Sequence, residues 1–191
     1  MQNIRYAIWA LVLVSAGVFG WLSFNKDKVE RITFGADFSL VKSDGTSFND
    51  EDMLGRPHLV FFGFTNCPDI CPTTLYDTTS WIETLGEKAK KLDVYFITVD
   101  PERDTPKFLA EYLSLFDKNI VGLTGSVAEI DKAAKGYHVY YKKQPLDDGD
   151  YTMDHTASIF MMKSNGDFMG TIAYQENEET ALKKLERLIK S

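Results

Sequence analysis

The chain has 191 residues and a formal net charge of −7, with 44% hydrophobic and 26% charged residues. This composition is typical of a globular protein and excludes a disordered chain, and the length suffices for one domain plus an appendage. The acidic balance, without a basic stripe, argues against a nucleic-acid-binding surface. Two cysteines are too few for a disulfide-stabilised scaffold, so the pair forms either one bridge or a site.

The N-terminal part contains an uncharged stretch of 19 residues, 6–24, which is about the length that crosses a bilayer. Trp9 and Trp21 lie toward its two ends, where aromatic side chains favour the membrane interface. A cleaved signal peptide is the alternative, but the stretch lacks a clear small-residue cleavage site. We therefore predict a membrane anchor with a short linker over residues 1–28 and a globular domain over residues 29–191.

The charges that flank this stretch leave its orientation open. Arg5 precedes it, whereas Lys26, Lys28 and Arg31 follow it. Counting Lys and Arg alone would place the following domain in the cytoplasm. A short tail before a single anchor is compatible with the opposite topology.

The rest of the chain alternates between strand-like and helix-like patterns. Apolar runs and alternation predict strands over 34–41, 58–64, 94–99, 120–123, 137–142, 157–162 and 168–174, with a further short strand after a turn at 43–46. Apolar residues at helical spacing predict helices over 73–92, 106–116, 126–135 and 177–190. This order predicts an α/β fold around a mixed sheet, similar to a thioredoxin-like fold with an added N-terminal β-hairpin.

The two cysteines, Cys67 and Cys71, lie just after the apolar run 58–64. If Pro68 or Pro72 opens a helix, both thiols lie near its N-terminus and can face one point. The positive end of the helix dipole lowers the pKa of a thiol and favours the thiolate, which binds metals and attacks disulfides. A local disulfide is the structural alternative, but so short a loop gains little stability from it. We therefore predict a working pair.

Among the three histidines, His155 is the candidate partner of the cysteines. It follows an acidic loop at 144–151 and opens the predicted strand 157–162, which in a thioredoxin-like sheet lies beside the cysteine turn. His58 is expected at the surface or half-buried, and His138 within a packed or solvated strand. From spacing alone His155 is either a metal ligand or a structural histidine, and both interpretations stay open.

The donor set formed by two thiolates and one imidazole is soft and suits Cu(I). Cu(II) or zinc would need a fourth ligand, such as water or a carboxylate. The same cysteines would also serve a thiol–disulfide oxidoreductase, and only metal binding requires His155. A peroxidase is disfavoured by the paired sulfurs, and a copper or redox sensor that a partner reads stays open.

Three motifs resemble the signatures of the Sco/SenC family, in the family's order and spacing. They are GFTNCPDICP at 63–72, VDPERDTP at 99–106 and DHT at 154–156. The resemblance covers essentially the whole chain, including the uncharged N-terminal stretch. Ser164-Asn165 stand where many relatives have a proline-containing turn, a departure that leaves the functional motifs intact.

The resemblance implies a membrane-tethered, thioredoxin-like copper protein that helps to assemble the CuA centre of cytochrome c oxidase subunit II. Its copper ligands would be Cys67, Cys71 and His155, and its partners subunit II, a copper donor protein and a thiol reductant. This role is that of a metallochaperone rather than an enzyme, the alternative being an oxidoreductase that reduces the subunit's cysteines. Family members face the bacterial periplasm or the mitochondrial intermembrane space. Since no transit peptide precedes the stretch, we expect a bacterial plasma membrane.

Two acidic groups are candidates for contact with a partner. One adds negative charge beside His155, either to steer a partner or only to solvate the loop, and comprises Asp147, Asp148, Asp150 and Asp154. The other, Asp100 with the turn Glu102-Arg103-Asp104, is a candidate docking rim, although helix capping alone would explain Asp104.

Overall fold

The computed structural model describes residues 34–147 and 149–191. The predicted anchor at 6–24 and its linker to residue 28 lie outside these residues. Within the described ranges, no helix has the length and apolar character needed to cross a bilayer. The membrane anchor therefore stays a prediction.

Nine strands are present among the described residues, and seven of them form a mixed central sheet in the order β2-β1-β5-β4-β3-β8-β9. The strands are β1 (Ser39–Lys42), β2 (Ser47–Asn49), β3 (His58–Gly63), β4 (Asp93–Thr98), β5 (Ile120–Thr124), β6 (Tyr141–Pro145), β7 (Tyr151–His155), β8 (Ile159–Met162) and β9 (Phe168–Ile172). β3, β4 and β5 run parallel to one another, and the other pairs are antiparallel. The predicted α/β fold with an N-terminal hairpin, β1–β2, is confirmed.

Four α-helices accompany the sheet in the described part of the chain. They are α1 (Ile70–Leu85), α2 (Pro106–Leu113), α3 (Val127–Gly136) and α4 (Glu178–Ile189). The side chains of Thr105, Ser126 and Asn177 accept hydrogen bonds from backbone N–H groups in the first turns of α2, α3 and α4. These caps satisfy donors that a helix start leaves free, which is why polar residues precede these helices.

The hairpin β6–β7 differs from the prediction. The sequence placed a strand at 137–142 and a loop up to residue 151, whereas β6 begins only at Tyr141 and β7 continues to His155. His138, with φ 55°, lies in the left-handed region after α3 and separates that helix from β6. Among residues 34–147 and 149–191, the two strands pair with each other alone, as a separate two-stranded sheet, so His155 ends a hairpin strand rather than opening β8.

The core centres on β3, all six residues of which are buried. β3 lies between β4 and β8, and a strand with both faces covered reads as a continuous apolar run. His58 shares this environment with an exposed fraction of 1%, so the expectation of a surface or half-buried histidine is wrong. Its Nδ1 lies 3.0 Å from the backbone oxygen of Arg56, and its ring packs edge-on against Tyr95.

Candidate metal centre

The cysteine turn connects the carboxyl end of β3 to α1, the edge at which open α/β sheets bind ligands. Cys71 is the second residue of α1 and is fully buried, whereas Cys67 lies in the turn before the helix and is half-buried. The two thiols therefore do not share a helical face as predicted, because the helix begins only at Ile70. Instead, the backbone N–H of Cys71 donates a hydrogen bond to Cys67 Sγ, with 3.4 Å between nitrogen and sulfur. The two cysteines do not form a disulfide in this structure.

Gly63, the last residue of β3, makes room for Cys71. A Cβ at this position would lie 2.9 Å from Cys71 Sγ and 2.8 Å from Cε2 of Phe96. Both distances are too short for a real side chain. The glycine is therefore required by close packing against the sulfur, a role that the sequence pattern did not indicate.

The pKa values of the two thiols are shifted in opposite directions in the metal-free protein. A hydrogen bond from the Cys71 thiol lowers the pKa of Cys67 to about 4, against the effect of burial, and His155 and nearby backbone N–H groups add to the lowering. The same hydrogen bond, together with burial, raises the pKa of Cys71. The expectation that the helix start lowers the pKa of both thiols is therefore wrong for Cys71. Cys67 is therefore the thiolate, and the Cys71 thiol donates a hydrogen bond to it.

His155 reaches the cysteines from the end of β7. Its Nε2 lies 3.4 Å from Cys71 Sγ, and its Nδ1 lies 3.0 Å from the backbone oxygen of Thr156. Because a carbonyl oxygen can only accept, this contact places a proton on Nδ1, and Nε2 is the ring nitrogen that faces the sulfurs. The rings of Phe61 and Phe64 pack edge-on against the imidazole at 6.2 and 5.8 Å. The ring is thus oriented as metal-ligating histidines are.

The structure brings together all three residues that the sequence singled out. The sulfurs of Cys67 and Cys71 and a ring nitrogen of His155 lie within 4.8 Å of one another. Two sulfurs and one imidazole nitrogen at this spacing can converge on a single ion with modest side-chain adjustment, and such a set favours a soft metal.

A buried carboxylate behind the cysteine turn was not recognised as part of the site. Asp104 has an exposed fraction of 0%, and its carboxylate accepts hydrogen bonds from the backbone N–H and hydroxyl of Thr65 and from the hydroxyl of Thr98. Burial raises the pKa of Asp104, against these hydrogen bonds, which lower it. Asp104 therefore ties the cysteine turn to the segment between β4 and α2.

The neighbouring carboxylate Asp100 has an exposed fraction of 3% and pairs with Arg103. Since Asp100 and Asp104 are both buried, the interpretation of these two carboxylates as a docking rim is wrong. Arg103 in turn approaches Asp150, with 3.3 Å between Nη1 and Oδ1. Of the acidic group beside His155, Asp150 thus contacts the β4–α2 segment, and Asp148 lies outside the described residues.

Comparisons with known proteins identify the family of the chain and agree with the fold. A family model described as SCO1/SenC matches residues 26–190. The mitochondrial protein SCO2 of Saccharomyces cerevisiae is 33% identical over 198 residues, which cover 95% of this chain and 65% of the yeast protein's length.

Two solved structures share the architecture. ScoI of Bradyrhizobium japonicum, solved with copper bound, is 44% identical, with a TM-score of 0.76 over 82% of this chain and 99% of that one. BsSco, described as a member of the Sco family of cytochrome c oxidase assembly proteins with a disulfide switch, is 27% identical, with a TM-score of 0.64 over 81% of this chain and 92% of that one. The chain belongs to the SCO1/SenC family.

Proposed function

We propose that the chain is a copper chaperone that binds copper through Cys67, Cys71 and His155. The observation that carries the proposal is the convergence of two sulfurs and an imidazole, whose Nδ1 contacts the backbone oxygen of Thr156 and whose Nε2 faces the sulfurs. The copper-bound structure of B. japonicum ScoI supports the choice of metal. Cu(I) suits three soft ligands, and Cu(II) would need a further ligand.

The proposed destination of the copper is the CuA centre of cytochrome c oxidase subunit II. Support comes from the family, since BsSco is described as a member of a family of oxidase assembly proteins. We further propose that residues 6–24 anchor the chain in a bacterial plasma membrane and that the domain faces the periplasm, where a copper donor and a thiol reductant would supply it. The uncharged stretch and the 44% identity to a bacterial protein support this placement.

The direct test is anaerobic Cu(I) binding by the full chain in detergent. We expect one copper per chain, bound much more weakly in His155→Ala and in the Cys67→Ser/Cys71→Ser double variant. His138→Asn is the matched control, because His138 is exposed and Asn tolerates its left-handed backbone. If His155→Ala binds copper like the wild type, the three-ligand site is wrong. Transfer to a purified CuA domain then tests the destination.

A second candidate function is reduction of the cysteines of the oxidase subunit. It is favoured by the half-buried Cys67, whose pKa is lowered to about 4, because an accessible thiolate is the attacking species in disulfide exchange. Cys67 would attack the target disulfide to form a mixed disulfide, and Cys71, once deprotonated, would release the reduced target and leave a Cys67–Cys71 disulfide.

Alkylation of Cys67 by iodoacetamide tests the basis of this candidate. In the metal-free chain the rate should be independent of pH above about pH 6, because Cys67 is already ionised there. In Cys71→Ala the hydrogen-bond donor is lost, so the rate should rise with pH as for an ordinary thiol. If the alkylation rate of the wild type also rose steeply with pH, Cys67 would not be ionised at neutral pH, and the basis of this candidate function would be wrong.

A further inference from the structure

The ring of Tyr151 lies between two cations at the far end of the strand that carries His155. The guanidinium carbon of Arg103 lies 3.7 Å from the ring centroid, and Lys143 Nζ also lies 3.7 Å from it. The Tyr151 hydroxyl donates a hydrogen bond of 2.8 Å to Asp100 Oδ1. We call these four residues, Asp100, Arg103, Lys143 and Tyr151, the Tyr151 clamp. Cations over an aromatic face attract it, most strongly where water is partly excluded.

Backbone and charge contacts reinforce the clamp. Arg103 Nη1 donates to the backbone oxygen of Tyr151 at 3.0 Å, and Lys143 forms a 2.6 Å salt bridge with Glu102. Asp100, Glu102 and Arg103 all belong to the segment between β4 and α2. The clamp thus joins the β6–β7 hairpin to the segment that also holds the cysteine turn through Asp104.

The geometry of β7 connects the clamp to the site. Alternate residues of a strand face the same side, so Tyr151, Met153 and His155 share one face of β7. Beside the buried Met153 lies a partly open recess of about 140 Å³, whose lining includes Val99 and Tyr141. Met153, in the middle of β7, is part of the buried core, and Tyr151 and His155 lie at the two ends of the strand on either side of it.

We propose that Tyr151 is a positioning residue for His155, and that the clamp sets how readily the histidine leaves a bound metal. The inference rests on the proposed copper function and adds the structural control of copper release to it. When the clamp opens, β7 loses the contacts that hold the end far from His155, and the added freedom of the strand lets the imidazole move away from a metal that both sulfurs still hold. A loosened clamp therefore accelerates ligand exchange without removing any ligand.

The test is the rate at which bathocuproine disulfonate removes Cu(I) from the loaded full chain in detergent. Tyr151→Leu should accelerate removal by roughly ten- to a hundredfold, the range typical of groups that orient a metal ligand. Tyr151→Phe keeps the ring between the cations and should have a smaller effect. Tyr140→Leu is the matched control, because Tyr140 also belongs to the hairpin region but is 57% exposed, and its rate should equal that of the wild type.

A double variant separates positioning from general destabilisation. If Tyr151 acts through His155, Tyr151→Leu should cause no further acceleration in a His155→Ala background. Equal rates for wild type and Tyr151→Leu, or the same acceleration with and without His155, would overturn the proposal.

Amide hydrogen exchange of the metal-free chain separates this proposal from the copper function. Tyr151→Leu should speed exchange in β7 and leave β3 and β4 unchanged. If the chain bound no copper but showed this change, the copper function would fail while the anchoring role of Tyr151 would hold. Unchanged exchange in β7 would refute the anchoring role itself.

Discussion

The two halves of the candidate site are built in different ways. The cysteine turn belongs to the core: Cys71 is fully buried, Gly63 packs against its sulfur, and the buried Asp104 fixes Thr65. The histidine lies on a hairpin outside the main sheet and is fixed at its far end through Tyr151. One half is thus part of the main sheet and its core, whereas the other is a separate hairpin that packs against that core through Met153 and through polar and aromatic contacts.

This difference assigns separate tasks to the two halves. A cysteine pair set in the core keeps its geometry for as long as the domain is folded. A hairpin that shares no strand pairing with the main sheet can move at a smaller cost than unfolding, because its movement breaks none of the hydrogen bonds of that sheet. A protein that must hold a metal and then release it needs both properties. Changes in the cysteine half should therefore lower stability, whereas changes in the hairpin should alter the site alone.

The largest effect on stability is expected from Asp104→Ala. The change leaves the donors of Thr65 and Thr98 without their buried acceptor, which should lower the free energy of unfolding by about 2 kcal/mol. Chemical denaturation measures this, with the exposed Asp147→Ala as the control that should match the wild type. If Asp104→Ala lowered the free energy of unfolding no more than Asp147→Ala does, the cysteine turn would not depend on the Asp104 carboxylate.

The next effect is expected from Gly63→Ala, which places a methyl group against Cys71 Sγ and Phe96. Adding a single methyl group lowers the free energy of unfolding by about 1 kcal/mol, the lower end of the range for overpacking. Because the sulfur must also move, copper affinity should fall by roughly tenfold or more.

Gly122→Ala is the matched control for this change. A Cβ at this position would lie 2.6 Å from Leu113 Cδ1 and 2.8 Å from Leu109 Cγ, contacts that contain no group of the site. We expect a similar loss of stability with unchanged copper affinity. If both variants lost affinity equally, the special contact between Gly63 and the sulfur would be disproved.

A smaller effect is expected from His58, at the other end of the strand that leads to the cysteines. Burial lowers the pKa of His58 below its ordinary value of 6.5, against the hydrogen bond to Arg56 and the charge of Asp93. The unfolded chain therefore takes up the proton first, so the contribution of neutral His58 is complete above about pH 6.5 and is lost as the pH falls through the folded-state pKa.

His58→Leu should flatten the decline in stability from about pH 7 to about pH 5, as measured by denaturation at several pH values. His138→Asn, which removes an exposed histidine, should keep the wild-type slope. Parallel slopes for the wild type and His58→Leu would contradict the account of a buried neutral histidine.

The smallest effect is expected from Glu102→Gln. This change removes the exposed salt bridge to Lys143 but keeps Lys143 above the ring of Tyr151. Exposed ion pairs contribute little, so the denaturation midpoint and the rate of copper removal should both stay at the wild-type values. A clear change in either would show that the hairpin is held by charge rather than by the tyrosine ring.

The sequence predicted the core half of the site more completely than the docked half. The run 58–64 and the proline-flanked cysteines are local signals, and they placed β3, the turn and the start of α1 to within three residues. The predicted helix ran on to residue 92, whereas α1 ends at Leu85 and a 3-10 helix, Gly86–Lys91, follows it. β7 was missed because only one of its five residues, Met153, is buried and the strand directly follows an acidic loop. Its partner Arg103 lies 48 residues away, and no local pattern reports such a contact.

The site residues show the same division. The cysteines could be singled out from spacing and helix chemistry, whereas spacing left His155 open between a ligand and a structural histidine. The structure supplies what the spacing lacked: the contact of Nδ1 with Thr156 and the 3.4 Å approach of Nε2 to Cys71. The structure was also needed to show that the pKa of Cys67 is lowered and that of Cys71 is raised, because this depends on which thiol donates the hydrogen bond to the other.

X-ray absorption at the copper edge of the Cu(I)-loaded full chain tests the central claim most directly. If Cys67, Cys71 and His155 all bind the copper, the spectrum should show two sulfurs and one nitrogen around it. In Tyr151→Leu the nitrogen contribution should weaken while the sulfur contribution is unchanged. Copper bound by two sulfurs alone in the wild type, or a nitrogen contribution that His155→Ala leaves in place, would contradict the claim.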